Sequence, residues 1–256
     1  MKLDVLAFGA HPDDIELVVS GTLLKLADLG YSTGVVDMVR GELGTRGTSQ
    51  IRAREAKVSA GILRLQVREN LKLTDGQIFN NQPARLRVIR ILRKYRPDLV
   101  FTHYWDDKHP DHVHTSQIVA EACYLSGLAK IRTGQQRFRP RKLFYFMLPH
   151  YVEPSFIVDI SQYFDRKMEA LRCFGSQLHD PKSKEPQTYL SVPEFLPTLE
   201  SLHRYYGTLI QSQYAEAFYC KEAMSIDDPV AFFMKRGKME ECHERSHATK
   251  GDTSAG

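Results

Sequence analysis

The sequence is poor in several features that identify particular classes of protein. Its four cysteines are far apart and include no Cys-x-x-Cys pair, so neither a disulfide framework nor a zinc ribbon is expected. No apolar stretch approaches the ~18 residues that a membrane span requires. Asp4 interrupts the apolar residues at the N-terminus, which is wrong for a signal peptide. We therefore expect a cytoplasmic protein with no membrane partner.

A strong excess of charge is also missing. The chain has 35 Lys and Arg residues against 31 Asp and Glu residues, and its formal net charge is only +4. This excess is small and dispersed, so no nucleic-acid partner is expected. The arginines between residues 82 and 95 lie in an amphipathic helical pattern without interleaved aromatic side chains, which is typical of a solvated helix face. The weak positive balance is compatible with a small anionic substrate.

What the chain does contain is an alternation of apolar strands and amphipathic helices. Strands are predicted at 3–9, 32–39, 71–74, 98–102, 143–148, 156–160 and 215–220, and helices at 15–29, 49–65, 82–95, 115–125, 162–174 and 195–211. This alternation indicates an α/β fold with a mostly parallel sheet and helices on both faces. We predict one domain over residues 1–235, with a long ordered loop at 176–193. A polar, disordered tail is predicted over residues 236–256.

The first group of candidate functional residues follows the first strand. The stretch LAFGAHPDDIE places His11, Asp13 and Asp14 at a junction between a strand and a helix. Adjacent buried carboxylates are costly unless a positive charge is shared between them. A divalent metal held by His11 and Asp14 meets this need, and Asp13 then faces a water molecule at the metal. The alternative is an Asp that caps the helix, with His11 merely packed nearby.

A second group follows another apolar strand about a hundred residues later. The strand at 98–102 runs into a segment that contains His109 and His112. Ligands gather at the carboxyl ends of strands in open α/β sheets, so the two groups are expected to meet there. His112 completes a set with His11 and Asp14 that leaves one coordination position for water, as in catalytic zinc sites. His109 is then free to donate a hydrogen bond to a developing oxyanion.

Two motifs carry a resemblance to a known family. They are Ala-His-Pro-Asp-Asp-x-Glu at residues 10–16 and His-Pro-Asp-His at residues 109–112. Together they resemble the LmbE/PIG-L superfamily of zinc-dependent N-acetylglucosaminide deacetylases. Further segments resemble the bacillithiol-biosynthesis branch of that superfamily. They lie at 40–47 (RGELGTRG), 52–56 (RxxEA), 68–71 (RENL), 75–76 (DG) and 183–186 (SKEP).

The resemblance implies a Rossmann-like fold with the metal site at the carboxyl ends of the strands. It implies that His11, Asp14 and His112 bind one Zn²⁺ per chain, with another divalent metal such as Fe²⁺ as the alternative. It further implies that Asp13 is the general base and that His109 polarises the acetyl carbonyl. Because relatives commonly assemble, a homo-oligomer is expected.

The implied reaction is removal of the N-acetyl group from N-acetylglucosaminyl-L-malate, which yields glucosaminyl-malate and acetate. Asp111 is expected to hold the orientation of His109. One alternative is a deacetylase of another N-acetylglucosamine derivative, such as a chitooligosaccharide or a mycothiol-like conjugate. An alternative of another class is a non-catalytic Rossmann-like binding protein. The intact Asp13, which no fold requirement explains, argues against this last alternative.

Four residues are candidate substrate contacts: Glu42, Arg46, Arg52 and Asp75. Glu42 and Arg46 lie in a glycine-rich loop that lacks the spacing of a P-loop or a dinucleotide site, so a mobile rim loop is favoured over a phosphate cradle. Arg46 is the first candidate for the malate carboxylates, because the planar guanidinium fork suits carboxylates. Arg52 is the second, and its alternative is a solvated ion pair with Glu55.

The tail also contains a metalloprotease-like pattern, His243-Glu-x-x-His247. That motif requires a helix with an apolar face beneath the metal. The residues around it are polar and offer almost nothing to bury. No protease site is expected there.

Overall fold

A mixed sheet of seven strands forms the centre of the computed structural model, which describes residues 1–146 and 152–234. The strands are β1 (Val5–Gly9), β2 (Thr33–Val39), β3 (Val67–Leu73), β4 (Leu99–His103), β5 (Lys142–Phe146), β6 (Phe156–Asp159) and β7 (Ala215–Tyr219). Their order across the sheet is β3-β2-β1-β4-β5-β7-β6. The first five are parallel, while β7 runs antiparallel to β5 and β6. The predicted α/β fold with a mostly parallel sheet is confirmed.

Helices occupy most of the connections between the strands. They are α1 (Asp14–Val18), α2 (Ser20–Asp28), α3 (Ser49–Ile62), α4 (Gln82–Tyr95), α5 (Pro110–Leu125), α6 (Phe164–Arg172), α7 (Phe195–Thr208) and α8 (Pro229–Met234). A short 3₁₀ turn at Ser161–Tyr163 precedes α6. Thr48 and Asn81 cap α3 and α4, because each side chain accepts a hydrogen bond from an otherwise unpaired amide of the first turn.

Both faces of the sheet are covered, since alternate residues of each strand point to opposite sides. Leu6 and Phe8 of β1 pack in a core with α4 and α5 on one face. Val5 and Ala7 pack on the other face with α1, α6 and α7. This arrangement explains why β1 and β2 are buried along their whole length and read as continuous apolar runs.

The first helix departs from its prediction. The apolar pattern predicts one helix over residues 15–29, whereas the structure has two, α1 and α2, separated at Val19. Buried side chains from α6 and β7 bind the main chain at this break. No local pattern encodes such contacts, which is why the pattern of apolar residues misses the break.

Three boundaries near the candidate site also differ from prediction. β4 extends through His103, one residue past its predicted end, and β3 begins at Val67, where charged residues hide the apolar pattern. α5 begins at Pro110 rather than at residue 115, because proline fits the first turn of a helix, where its missing N–H has no partner to lose. Asp111 and His112 therefore lie on a helix, not in a loop.

The segments outside the sheet and its helices carry little regular structure. No helix or strand is described between residues 173 and 194, as predicted for a long loop. Residues 1–220 form one compact unit and residues 221–256 form another, whose described part contains α8. The predicted domain limit at residue 235 stays a prediction. The predicted tail with its two histidines, and the last two residues of the strand predicted at 143–148, lie outside the described residues.

Two expected absences concern the part of the chain that the structure describes. Cys123, Cys173 and Cys220 are free thiols, so these three form no disulfide. No described helix combines the length and the apolar character needed to cross a membrane.

Candidate metal centre

The site begins where β1 ends and the chain turns sharply into α1. Asp13 has a φ of 123°, a conformation that strains any residue with a Cβ and that is found mostly at functional sites. α1 begins at the next residue, Asp14, whose Oδ2 accepts a hydrogen bond of 2.7 Å from the His11 amide. The turn therefore presents His11, Asp13 and Asp14 together at the carboxyl end of β1.

β4 and α5 bring the second group of residues to the same place. β4 lies beside β1 in parallel register, with Phe101 opposite Ala7. Two residues later, the His103 Nε2 atom lies 3.0 Å from both the Ala10 amide nitrogen and Asp14 Oδ2. The first turn of α5 then places His112 Nε2 3.5 Å from Asp14 Oδ1. The two motifs thus meet, as the sequence predicts.

His11, Asp14 and His112 each offer one ligand atom, and these atoms lie within 4.8 Å of one another. All three residues are buried. Burial raises the pKa of Asp14, but His112 and His103 outweigh it and hold this pKa well below its usual range. Burial lowers the pKa of His112, but Asp14 and a hydrogen bond to Asp107 raise it to about 9. The site therefore stabilises positive charge, and its nitrogen and carboxylate donors suit a divalent cation.

Carboxylates hold the outer nitrogens of the two candidate histidine ligands. His112 Nδ1 lies 3.1 Å from Asp107 Oδ2. His11 Nε2 lies 3.3 Å from Asp75 Oδ1 and 3.4 Å from Asp111 Oδ2. In metal sites such partners orient the imidazole and make its ligating nitrogen more basic. These contacts leave His11 Nδ1 and His112 Nε2 facing Asp14.

Arg52 contacts the candidate base. Its Nη2 lies 2.9 Å from Asp13 Oδ2 and also donates to the Pro12 carbonyl oxygen. Burial raises the pKa of Asp13 to about 7, although the Arg52 charge acts in the opposite direction. A carboxylate with a pKa near neutrality can accept and return a proton. Arg52 thus pairs with the candidate base, and its predicted contact with substrate stays a prediction.

His109 caps α5 at the edge of the site. Its side chain is exposed, and its ring centroid lies 4.8 Å from that of His11 and 4.7 Å from that of His112. Its Nδ1 accepts a hydrogen bond of 3.2 Å from the Asp111 amide. Partial desolvation and the neighbouring His11 and His112 lower the pKa of His109, which favours the neutral ring. Because Nδ1 accepts a hydrogen bond, the proton of the neutral ring lies on Nε2, which can donate.

Asp111 differs from its predicted role. Its carboxylate accepts a hydrogen bond of 2.8 Å from the Gly76 amide and contacts His11, while only its main-chain amide contacts His109. The prediction that Asp111 orients His109 is therefore corrected for the side chain. The carboxylate positions a candidate metal ligand instead.

The other predicted substrate contacts also have partners within the protein. Arg46 is buried and donates to the Leu178 carbonyl oxygen at 3.0 Å. The Asp75 carboxylate accepts from the Leu43 amide at 2.9 Å besides contacting His11. Glu42 binds Arg40 next to it. In this structure these residues hold the loops around the site, and their predicted contacts with substrate stay predictions.

Sequence reasoning assigned no role to His103 or to Asp107. Burial lowers the pKa of His103 to about 4, which keeps this ring neutral beside Asp14. A signal for His103 existed in the parallel pairing of β4 with β1, which places the end of one strand beside the end of the other. The contact of Asp107 with His112 depends on the loop conformation, for which the sequence offers no comparable signal.

Comparisons with known proteins agree with this architecture. The family model PIG-L, described as GlcNAc-PI de-N-acetylase, matches residues 6–123. The conserved protein TT1542 from Thermus thermophilus is 33% identical with a TM-score of 0.80, over 88% of this chain and 98% of that one. The diacetylchitobiose deacetylase of Thermococcus kodakarensis is 28% identical over 83% of this chain and 80% of its own length.

A fourth similarity concerns a protein with another substrate. The probable N-acetyl-α-D-glucosaminyl L-malate deacetylase 2 of Bacillus anthracis is 29% identical over 68% of this chain and 80% of its own length. Fold and site together define a metal-dependent hydrolase built on an α/β sheet. The chain belongs to the PIG-L/LmbE family of deacetylases and is an enzyme of that family. The alternative of a non-catalytic binding protein is thereby set aside.

Proposed function

We propose that this enzyme removes the acetyl group from N-acetylglucosaminyl-L-malate and that its metal is Zn²⁺. The observation that carries the deacetylase chemistry is the buried set of His11, Asp14 and His112, with Asp13 beside it. When bound, a zinc ion lowers the pKa of a water molecule and polarises a carbonyl group. The donors fit Zn²⁺, which prefers nitrogen and carboxylate ligands in a set of three with an open position.

Asp13 moves the proton in the proposed reaction. Its carboxylate accepts a proton from the attacking water as the water oxygen bonds to the acetyl carbon. The carbon–nitrogen bond then breaks, and Asp13 returns the proton to the departing amine nitrogen, so acetate and a free amine result. The pKa of about 7 suits both transfers, and Arg52 fixes the direction of the carboxylate.

His109 stabilises the developing negative charge on the acetyl oxygen. Its Nε2–H is the free donor, because Nδ1 is used by the Asp111 amide. An oriented donor of this kind lowers the barrier to acyl transfer. The exposed position of His109 leaves it accessible to a substrate that enters from solvent.

Malate as the aglycone is supported by the similarity to the Bacillus anthracis protein and by an exposed lysine next to His109 in the chain. Lys108 directly precedes His109 and is exposed. A positive side chain there favours a substrate with carboxylates. Since Arg46 and Arg52 are engaged elsewhere, Lys108 replaces them as the proposed contact for malate.

The test is a substrate panel assayed for release of acetate and of free amine. N-acetylglucosaminyl-L-malate, diacetylchitobiose and N-acetylglucosamine are compared through kcat/KM, with Asp13→Asn as the inactive control. We expect the malate conjugate to exceed the other two by at least about tenfold, or about 1.4 kcal/mol. A reversed order would assign the enzyme to another N-acetylglucosamine derivative. Absence of turnover on all three with metal bound would refute the deacetylase proposal.

A further inference from the structure

The positions of Asp13 and Asp14 depend on α1, a helix that is too short to be stable by itself. α1 has five residues and carries Asp14 and Glu16, and Asp13 lies at its start in a strained conformation. A helix of this length is unstable on its own in water. The helical structure is interrupted at Val19, between the end of α1 and the start of α2. The last carbonyl groups of α1 and the first amide groups of α2 lie at this break. Something outside α1 must therefore fix its position.

A buried ion pair occupies this break. Lys167 of α6 and Glu216 of β7 lie 2.8 Å apart, and both side chains are fully buried. Lys167 Nζ also donates to the Glu16 carbonyl oxygen at 2.9 Å and to the Leu17 carbonyl oxygen at 2.8 Å. The lysine thus satisfies carbonyl groups of α1 that have no partner inside so short a helix.

Glu216 serves the other side of the break. Its Oε1 accepts from the Gly21 amide at 2.9 Å, and its Oε2 accepts from the Thr22 amide at 2.7 Å. These are first-turn amides of α2, which have no partner within their own helix. A negative charge at this position is also favoured by the positive end of the helix dipole. The carboxylate therefore fixes the start of α2 while the lysine fixes the end of α1.

The start of α2 also packs closely against the residue that follows β6. A Cβ atom added to Gly21 would lie 2.8 Å from the Ile160 side chain, so α2 approaches its neighbour as closely as a glycine allows. Glu16 is held on its other side by Arg68 at 2.6 Å. Arg68 thus holds α1 through the Glu16 side chain, and Lys167 holds it through main-chain carbonyl groups.

We propose that the Lys167–Glu216 ion pair positions the metal site, by fixing the α1 turn that carries Asp13 and Asp14. This inference rests on the proposed function only where it takes Asp13 as the base and Asp14 as a metal ligand. Both members of the pair lie beyond residues 6–123, the part of the chain that the family model matches. They are positioning residues, since neither contacts a candidate ligand side chain.

The experiment compares variants of the pair with a matched control in the full chain. Lys167→Met keeps the length of the side chain but leaves the Glu216 charge unpaired, and this variant can fail to fold. Glu216→Gln leaves the Lys167 charge unpaired in the same way. The double variant, Lys167→Met with Glu216→Gln, carries the test if the single variants do not fold, because it leaves no unpaired buried charge. The control is Val88→Ala, which removes buried atoms from α4, a helix without any candidate site residue. All proteins are compared at the same interval below their own Tm.

Two measurements separate positioning from general stability. Amide hydrogen exchange of residues 14–18 in the metal-free protein should become at least about tenfold faster in the pair variants than in Val88→Ala, while β2 exchanges equally in all. The dissociation constant for Zn²⁺, measured by chelator competition, should rise by about 10- to 100-fold, as when outer partners of metal ligands are lost. The visible spectrum of the Co²⁺-loaded variants should change as well.

The outcomes distinguish this inference from the proposed function. If the wild type releases acetate but the pair variants match Val88→Ala within twofold in α1 exchange and in zinc affinity, the inference is overturned and the function stands. If the wild type releases no acetate but α1 exchange accelerates as described, the positioning role stands and the function falls. Equal acceleration in α1 and β2 also overturns the inference, because it indicates global loosening.

Discussion

Two clusters of buried charge share the short helix α1, which contributes Asp14 to one and Glu16 to the other, and they differ in how their charge is balanced. The metal-site cluster (His11, Asp13, Asp14 and His112) lies beside the exposed ring of His109. The internal cluster consists of Glu16, Asp37, Ser59 and Arg68, in which Arg68 binds Asp37 through two nitrogens at 2.9 and 3.0 Å. Ser59 and Arg68 donate to Glu16 at 2.5 and 2.6 Å.

The difference is in the source of the positive charge. Arg68 brings a permanent cation to the internal cluster, so that cluster is satisfied by the chain itself. In the metal-site cluster Arg52 serves Asp13, whereas Asp14 has only histidines beside it and must take its positive charge from protons on them or from a bound cation. Two carboxylates of one short helix therefore differ in purpose: Glu16 is neutralised by Arg68 within the fold, whereas Asp14 offers a ligand atom for a cation.

The largest expected effect is the loss of a ligand from the metal-site cluster. His11→Ala or His112→Ala leaves two of the three candidate ligands, so metal and activity should both be lost. Metal content by elemental analysis and acetate release measure the result. Full metal content with normal turnover in either variant would show that the ligands are misassigned.

Replacement of the base should separate chemistry from binding within the same cluster. Asp13→Asn keeps the size of the side chain but cannot accept a proton, so kcat should fall by about 10²- to 10⁴-fold with metal retained. Single-turnover rates and metal content are measured on the same preparation. Turnover within a few-fold of the wild type would exclude Asp13 as the base.

The internal cluster should respond in stability rather than in chemistry. Arg68→Met leaves the buried carboxylates of Glu16 and Asp37 without a cation, which should lower the free energy of unfolding by about 3–5 kcal/mol. The matched control is Arg85→Met, which removes an ion pair with the half-exposed Glu121 and should cost about 1 kcal/mol or less. Urea unfolding of the metal-free proteins is the measurement. Equal losses would remove the contrast between buried and exposed pairs.

The pH dependence of metal binding tests how the metal-site cluster balances its charge. Burial lowers the pKa of His112, but Asp14 and Asp107 raise it from 6.5 to about 9. The pKa of His11 is also raised, so zinc must displace a proton from each histidine. Its dissociation constant should therefore rise as the pH falls below 9, by up to about tenfold per pH unit for each proton. Chelator competition between pH 6 and pH 9 measures it, and a flat profile would contradict a protonated His112.

The same proton should stabilise the metal-free protein. A raised histidine pKa contributes stability that is fully present below the unfolded value of 6.5 and is lost as the pH rises through about 9. The contribution is about 3 kcal/mol from the size of the shift. Urea unfolding without metal should therefore show less stability at pH 9 than at pH 6.5 from this group.

The smallest effect concerns specificity at the rim. Arg46→Ala should lower kcat/KM for N-acetylglucosaminyl-L-malate and for N-acetylglucosamine by the same factor, because Arg46 holds Leu178 rather than substrate. Lys108→Met should lower only the value for the malate conjugate, by about two- to fivefold, as expected for an exposed charge contact. A selective loss in Arg46→Ala would restore it as the malate contact.

Local patterns accounted for much of the fold. The helix Gln82–Tyr95 was predicted with its observed limits, because an asparagine cap, an apolar stripe and Pro97 beyond its end all agree. β1 and β2 were visible as continuous apolar runs. The meeting of His11 and Asp14 with His112 also followed from sequence, since parallel strands bring their carboxyl ends to one edge.

Contacts across the chain could not be predicted in this way. Arg52 looked like a substrate contact or a solvated partner of Glu55, yet it is buried against Asp13. Arg46 looked like a residue of a mobile rim, yet it is buried against Leu178. In each case the sequence predicts a side chain that binds carboxylates or oxygens, but it does not reveal the partner within the protein.

The sequence by itself determined the succession of strands and helices along the chain, the edge of the sheet where the site lies, and the residues that can bind a metal. Only the tertiary structure decided which cation serves which carboxylate: Arg52 for Asp13, Arg68 for Glu16 and Lys167 for Glu216. The physical reason is that periodicity and turn chemistry act over a few residues, whereas a buried charge must find its partner wherever packing brings one within about 3 Å.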